Sequence, residues 1–280
     1  MKLKAYAKIN LSLDITGKRE NGYHDIESIM QSVSLYDLVS IEKNHSVKIT
    51  VKSDNKDIPE GEENIAFKAA KQMIDDFDLN CGFDIFIEKH IPVAGGMAGG
   101  STNAAAVIRG INEICSLNLT NDEMMKTGVK IGADVPFCIQ QNAALCEGIG
   151  EIITPLKGLS KDLWILLVNP NIKVSTKLIY EKIDEKVSYN TVDNKSLINA
   201  LENGDVDSAK NYMKNVMQVV SETECEEIST VIKEIKSLGA IHSMMSGSGA
   251  TCFGIFKEKP DLEKSKKVFK DYFVEIANPI

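Results

Sequence analysis

No stretch of apolar residues in this 280-residue chain is long enough to cross a bilayer. The opening residues are equally unsuited to an export signal, because Lys2, Lys4, Lys8, Asn10 and Asp14 interrupt any apolar block before it reaches the length of a signal peptide's centre. There is no Cys-x-x-Cys pair and no nearby histidine cluster. Cys81, Cys115, Cys138, Cys146, Cys225 and Cys252 are widely spaced, which excludes the ligand spacing of a zinc site and reads as reduced thiols. Basic runs are missing too. The 32 Lys and Arg are scattered against 40 Asp and Glu, giving a net charge of −8, so no stripe exists for a nucleic-acid backbone. Repeats and low-complexity tracts are absent. These absences lead to the expectation of a soluble, cytoplasmic protein with neither membrane nor nucleic acid as a partner; small molecules are the partners left, and monomer and homodimer both stay open.

What is present is enough apolar material, 43% of the chain, for a full core. The length suggests two domains. Pro155 to Lys161, with Gly158 and Ser160, is the best boundary, because a fresh apolar strand starts at Leu163, and this gives domains 1–157 and 158–280. Residues Leu3 to Ile15 alternate strictly and predict one long strand with Lys8 and Asn10 on the same face. A polar turn at Gly17 to His24 follows, then a mixed segment to Ile41 and a short strand near Val47 to Val51. Helical spacing predicts helices at Asn64 to Phe77, from Ala104 to Cys115, at Asp122 to Ile131, Thr176 to Ile183, Val206 to Val220 and Cys225 to Leu238. Strands are expected at Phe83 to Glu88, Leu163 to Val168 and as a pair around Ser246 to Ala250, with Val135 to Ile153 extended or mixed and a helix-plus-strand unit last. Helices and strands are interspersed without regular β-α-β alternation, so the fold class is α+β.

The segment Pro92-Val93-Ala94-Gly95-Gly96-Met97-Ala98-Gly99-Gly100-Ser101-Thr102-Asn103 places four glycines between a strand and a helix. Glycines let backbone N–H groups approach an anion closely, and a helix N-terminus adds unsatisfied donors and partial positive charge. A flexible connection with an ordinary Ser or Thr cap would read the same way in isolation; the position before a helix favours a phosphate loop. The segment has neither the lysine and spacing of a Walker A motif nor the glycine spacing of the dinucleotide fingerprint, and nothing matches the protein-kinase signatures.

Three elements together resemble a known superfamily. Lys8-Ile9-Asn10, Pro92 to Ala106 and Met245-Ser246-Gly247-Ser248-Gly249-Ala250 are similar to the three motifs of the galactokinase, homoserine kinase, mevalonate kinase and phosphomevalonate kinase (GHMP) superfamily, over nearly the whole chain. Ala7 to Leu11, Gly22-Tyr23-His24, Gly132 to Pro136 and Glu147 to Gly150 further resemble the branch that phosphorylates the 2-hydroxyl of 4-diphosphocytidyl-2-C-methyl-D-erythritol in the non-mevalonate isoprenoid pathway.

The resemblance implies an N-terminal domain like the second domain of ribosomal protein S5, a ferredoxin-like C-terminal domain and a cleft site between them. It implies ATP as phosphoryl donor, with the loop Pro92 to Asn103 and Lys89 at the nucleotide. Asp134 becomes the base and Lys8 its cationic partner, although alone they would read as a capping Asp and a solvated Lys. Asn10, Ser246, Gly247, Ser248 and Gly249 would shape the acceptor site. Tyr23 would stack on the cytosine, His24 would hydrogen-bond to it, and Tyr180 would close the other face; Tyr180 has an equal claim to ordinary packing with Leu178, Ile179 and Ile183. Met97, Ala98 and Thr102 depart from the commoner Leu, Gly and Ser of the superfamily; Met for Leu is close in volume and Thr keeps the hydroxyl, so neither of those two changes removes a needed group. Phosphate charge calls for Mg²⁺, for which the sequence offers no nameable carboxylate ligands.

Overall fold

A computed structural model describes all residues, Met1–Ile280. The chain begins with strands β1 (Lys2–Asn10), β2 (Asp14–Lys18), β3 (His24–Asn44) and β4 (Ile49–Ser53). Helix α1 (Ile65–Asp76), strand β5 (Gly82–Glu88) and helices α2 (Gly99–Ile114), α3 (Asn121–Val129) and α4 (Val135–Gln140) follow. Strands β6 (Ala143–Gly148), β7 (Ile152–Leu156) and β8 (Trp164–Asn169) lead to a helical stretch, α5 (Thr176–Lys186), α6 (Asn194–Glu202), α7 (Val206–Ala209), α8 (Met217–Glu224) and α9 (Glu227–Ser237). The chain closes with β9 (His242–Met245), β10 (Cys252–Phe256), α10 (Leu262–Val268) and β11 (Phe273–Ala277).

Two compact units divide the chain, and neither is continuous in sequence. The first holds 1–7, 36–93 and 98–140; the second holds 8–35, 94–97 and 141–280. In the first unit β5 runs parallel to β4 and antiparallel to the later half of β3, pairing Leu38 with Glu88 through Asn44 with Gly82. Its helices are built on small apolar faces. In α1 the side chain of Asn64 accepts the Ala66 N–H, and Ala66, Ala69, Ala70 and Met73 are buried at helical spacing. In α3 Thr120 and Glu123 form a reciprocal capping box, which holds the Glu123 carboxyl below its ordinary range.

In the second unit the earlier half of β3 pairs antiparallel with β2 and with β6, and β6 with β7. A separate antiparallel sheet has the order β11-β8-β10-β9. Its core includes Leu166, Val168, Ile179, Val220, Ile228, Val231 and Cys252, all buried. Fully burying a side chain of the Leu, Ile or Val class contributes about 1.5–3 kcal/mol.

Several expectations need correcting. The expected strand Leu3 to Ile15 is broken after Asn10, because the N–H groups of Leu11 and Ser12 both donate to the Ile29 carbonyl and Leu13 turns to bridge Asn215. The mixed segment to Ile41 is a single 21-residue strand. Every residue from Ser28 to Val33 is buried, which erases the alternation that marks a strand with one wet face. Val135 to Gln140 is helical rather than extended, since Pro136 sits in the first turn, where a missing N–H costs nothing. The helix expected over Val206 to Val220 is two short ones, interrupted where Lys214 and Val216 hydrogen-bond to Leu13. Helix α6 carried no expectation, while the strand pair expected around Ser246 to Ala250 is β9 and β10, which that turn joins.

His242 in β9 supplies a test of the second unit. Its Nε2 is buried with no hydrogen-bond partner, and burial, reinforced by Lys236 and Lys210, lowers its pKa from 6.5 to about 4. The unfolded chain therefore binds the proton first. Stability is full above pH 6.5 and declines toward pH 4 by about 2–3 kcal/mol from this group. Thermal melts at neutral pH and near pH 4 should differ less in His242→Leu than in the wild type; equal differences would remove His242 as the cause.

Candidate active site

The polar face of β1 is not solvated. Lys8 is 4% exposed and Asn10 fully buried, so each needs a partner inside the protein. Lys8 Nζ donates to Asn10 Oδ1 at 2.7 Å, and Asn10 Nδ2 donates to Ser28 Oγ at 2.8 Å. The Asn10 N–H donates to Ser246 Oγ at 3.3 Å, across 236 residues of sequence. The Lys8 N–H meets the Met97 carbonyl at 3.2 Å, Ser246 Oγ donates to the Gly96 carbonyl at 3.0 Å, and the Thr251 N–H donates to the Gly95 carbonyl at 3.2 Å. Within the second unit, therefore, the strand around Lys8, residues 94–97 and the Ser246–Gly249 turn are stitched to one another.

The glycine loop has a specific backbone form. Ala94, Gly96 and Ala98 have φ of 55°, 75° and 55°, while Gly95 and Met97 between them are not left-handed. Left-handed residues at alternate positions are one way in which successive N–H groups are turned toward a shared anion. Left-handed backbone costs an alanine about 1–2 kcal/mol, and strain of this kind concentrates where a ligand is held. Gly96 is required for a second reason: a Cβ there would lie 2.2 Å from the Ser246 carbonyl oxygen. Ala98 stands at the N-terminus of α2 without any side-chain cap, so the first N–H groups of a 16-residue helix stay open. Met97 is buried and Thr102 Oγ1 donates to the Tyr6 carbonyl at 2.7 Å. Loop accessibility thus lies with the backbone of Ala94, Gly96, Ala98, Gly99 and Gly100 and with half-buried Ser101, Pro92 and Val93.

In the first unit the loop is anchored by a buried carboxylate that the sequence did not single out. Asp37, in β3 and fully buried, accepts the N–H groups of His90 and Ile91 at 2.7 and 2.8 Å through Oδ1. Its Oδ2 accepts Lys89 Nζ at 2.6 Å and Asn103 Nδ2 at 2.9 Å. Lys89, its side chain 3% exposed, also donates to the Ile91 carbonyl. Burial lowers the Lys89 pKa, with Asp37 opposing. Lys89 and Asn103 thus tie both ends of the loop to one carboxylate.

Asp134 is half-buried and immediately precedes α4, where its carbonyl accepts the Cys138 N–H at 3.1 Å. It leads into a helix, where extended or mixed chain was expected. No group of three or more His, Cys, Asp or Glu side chains comes together to hold a metal ion.

The residues expected at a base divide. Tyr23, 62% exposed, follows Gly22 (φ 85°) in the turn between β2 and β3, while His24 is buried at the start of β3. The His24 and Tyr180 rings stack, with centroids 5.3 Å apart and planes at 23°. Asp184, one turn beyond Tyr180 on α5, accepts from His24 Nε2 at 2.6 Å; the spacing of four residues was the available signal for it. On the turn side, Asn215 Nδ2 donates to the carbonyls of Met245 and Gly247 at 3.0 and 2.8 Å, and Ser248 Oγ lies 2.7 Å from Thr176 Oγ1. Asn215 too had gone unnoticed in the sequence, having no local pattern around it.

Known proteins resemble this chain in sequence and in fold. Residues 64–142 match the GHMP kinases N terminal domain and 197–275 the GHMP kinases C terminal domain. A 4-diphosphocytidyl-2-C-methyl-D-erythritol kinase of Clostridioides difficile (strain 630) is 46% identical over 273 residues, covering 97% of this chain and 92% of the relative. One from Clostridium beijerinckii is 44% identical over 278 residues, covering 98% and 99%. A solved 4-(cytidine 5'-diphospho)-2C-methyl-D-erythritol kinase superposes with a TM-score of 0.80 at 25% identity, covering 99% of each chain. The homoserine kinase of Cytophaga hutchinsonii, at 15% identity, TM-score 0.75 and 99% and 94% coverage, shares the fold. The chain belongs to the GHMP kinases, and among them to the 4-diphosphocytidyl-2-C-methyl-D-erythritol kinase family.

Proposed function

We propose that this chain transfers the γ-phosphoryl group of ATP to the 2-hydroxyl of 4-diphosphocytidyl-2-C-methyl-D-erythritol, releasing ADP and the 2-phosphate. The observation that carries the reading is the junction, within the second unit, of Lys8, Asn10, residues 94–97 and Ser246, where the backbone of the glycine loop is left-handed at Ala94 and Gly96. Phosphoryl transfer asks mainly for positioning and for stabilised charge, and backbone N–H groups held rigid supply both.

In this reading the substrate O–H bond breaks as the new O–P bond forms, and Asp134 takes the proton. Lys8, buried and oriented by Asn10, offers its ammonium to the charge on the transferring group. The backbone from Ala94 to Ser101 holds the triphosphate, while Lys89 and Asn103 act through Asp37 to keep the loop ends in place. Ser246 to Gly249 border the acceptor, and Tyr23, His24 and Tyr180 take the cytosine. Mg²⁺ would accompany the triphosphate, with phosphate and water oxygens as most of its ligands, since the chain gathers no carboxylate cluster. The division into functional halves 1–157 and 158–280 is supported by the matched ranges 64–142 and 197–275, one in each.

The test is ADP release by purified protein with ATP and Mg²⁺, comparing the cytidyl substrate with homoserine and mevalonate. Turnover confined to the cytidyl substrate is expected. Turnover with another alcohol alone would move the chain to a different acceptor, and none with any would leave a nucleotide-binding protein without this activity.

A further inference from the structure

Around His24 the second unit carries a charged assembly that the transfer chemistry does not use. Asp184 accepts three donors: Lys18 Nζ on Oδ2, and on Oδ1 both His24 Nε2 at 2.6 Å and the Tyr189 hydroxyl at 2.5 Å. His24 is buried with its side chain 3% exposed, one face stacked on Tyr180 and its edge against Tyr189 at 6.4 Å and 89°. The donors, led by Lys18 and then Tyr189, hold the Asp184 carboxyl far below the usual carboxylate range, so it is an obligate acceptor at neutral pH. Tyr189 responds in the opposite sense, its hydroxyl pushed up to about 12 chiefly by the bond to Asp184, and so remains a donor.

An ionised carboxylate on Nε2 determines what the other ring nitrogen can do. With a single ring proton held at Nε2 by the carboxylate, Nδ1 is left with its lone pair. Cytosine offers an amino donor at its 4-position where a uracil-type base carries a carbonyl acceptor. A lone pair meets the first productively and repels the second, and a site built to pair with a donor rejects an analogue lacking it far more strongly than packing alone could.

We propose that Asp184 is a positioning residue for base selection: by fixing the tautomer of His24 and its stack on Tyr180, it sets the preference for a cytidylyl over a uridylyl substrate. This rests on His24 facing the base, as in the function proposed above. Asp184 itself touches no substrate. Lys18 and Tyr189 keep Asp184 ionised and in place, which explains why a partly exposed carboxylate is given three donors.

The experiment is steady-state kinetics of the full chain with the cytidylyl substrate and its uridylyl analogue. In the wild type the cytidylyl compound should be strongly preferred; no preference would overturn the assignment of His24 to the base, and this inference with it. Asp184→Asn preserves shape, but its amide can donate as well as accept, which frees the tautomer. The KM for the cytidylyl substrate should rise about tenfold, the worth of one hydrogen bond to a charged group. The uridylyl KM should fall or stay level, with kcat and the KM for ATP unchanged. Glu185→Gln exchanges an exposed carboxylate on α5 that takes no part in these bonds, so its base preference should match the wild type. An unchanged preference in D184N, or an equal loss for both substrates and ATP, would reduce Asp184 to a structural tie.

Discussion

Asp134→Asn is expected to lose about 10²–10⁴-fold in kcat, the usual share of a general base, while binding ATP as the wild type does. The substitution keeps volume and a hydrogen-bonding oxygen but cannot accept the substrate proton. Asp134 stands ahead of α4, where its backbone carbonyl accepts the Cys138 N–H, and exchanging the side chain leaves that backbone bond in place. Nucleotide affinity measured by calorimetry should therefore survive when turnover does not. Retention of kcat to within about tenfold of the wild type would show that no base is needed here, as a largely dissociative transition state allows.

Asp37→Ala is expected to be the most destabilising single change in the first unit, by about 3–5 kcal/mol, because it leaves a buried ammonium uncompensated. Four donors lose their acceptor together: Lys89 Nζ, Asn103 Nδ2 and the N–H groups of His90 and Ile91. Lys89 would keep only the Ile91 carbonyl. Since Asp37 ties both ends of the glycine loop, the variant should also raise the KM for ATP at temperatures where it remains folded. Urea unfolding measures the stability. A double variant, Asp37→Leu with Lys89→Met, should recover part of the loss because no charge is then left buried. A cost below about 1 kcal/mol for Asp37→Ala would mean water reaches Lys89 and the anchor is not structural.

Much of the site could be read from local pattern. The period of two in Leu3 to Ile15 put Lys8 and Asn10 on one face, and the glycines marked the passage from a strand into a helix. The left-handed Ala94 and Ala98 were not legible, since alanine disfavours that backbone and only surrounding structure can impose it. Helix α4 was missed because Val135 and Pro136 suggest extended chain unless Pro136 is known to occupy a first turn.

Asp37, Asp184 and Asn215 mark the limit of such reading. Each is an ordinary polar residue in its own neighbourhood, and each acquires its role from partners far along the chain: Lys89 for Asp37, His24 for Asp184, the Met245 and Gly247 carbonyls for Asn215. The sequence by itself determined the α+β class, the place of the glycine loop between a strand and a helix, and the family, because periodicity, glycine content and motif spacing are properties of neighbouring residues. Only the tertiary structure decided which polar groups are buried and what they answer to, because the cost of desolvating Lys8, Asn10 or Asp37 exists only once the chain has closed over them.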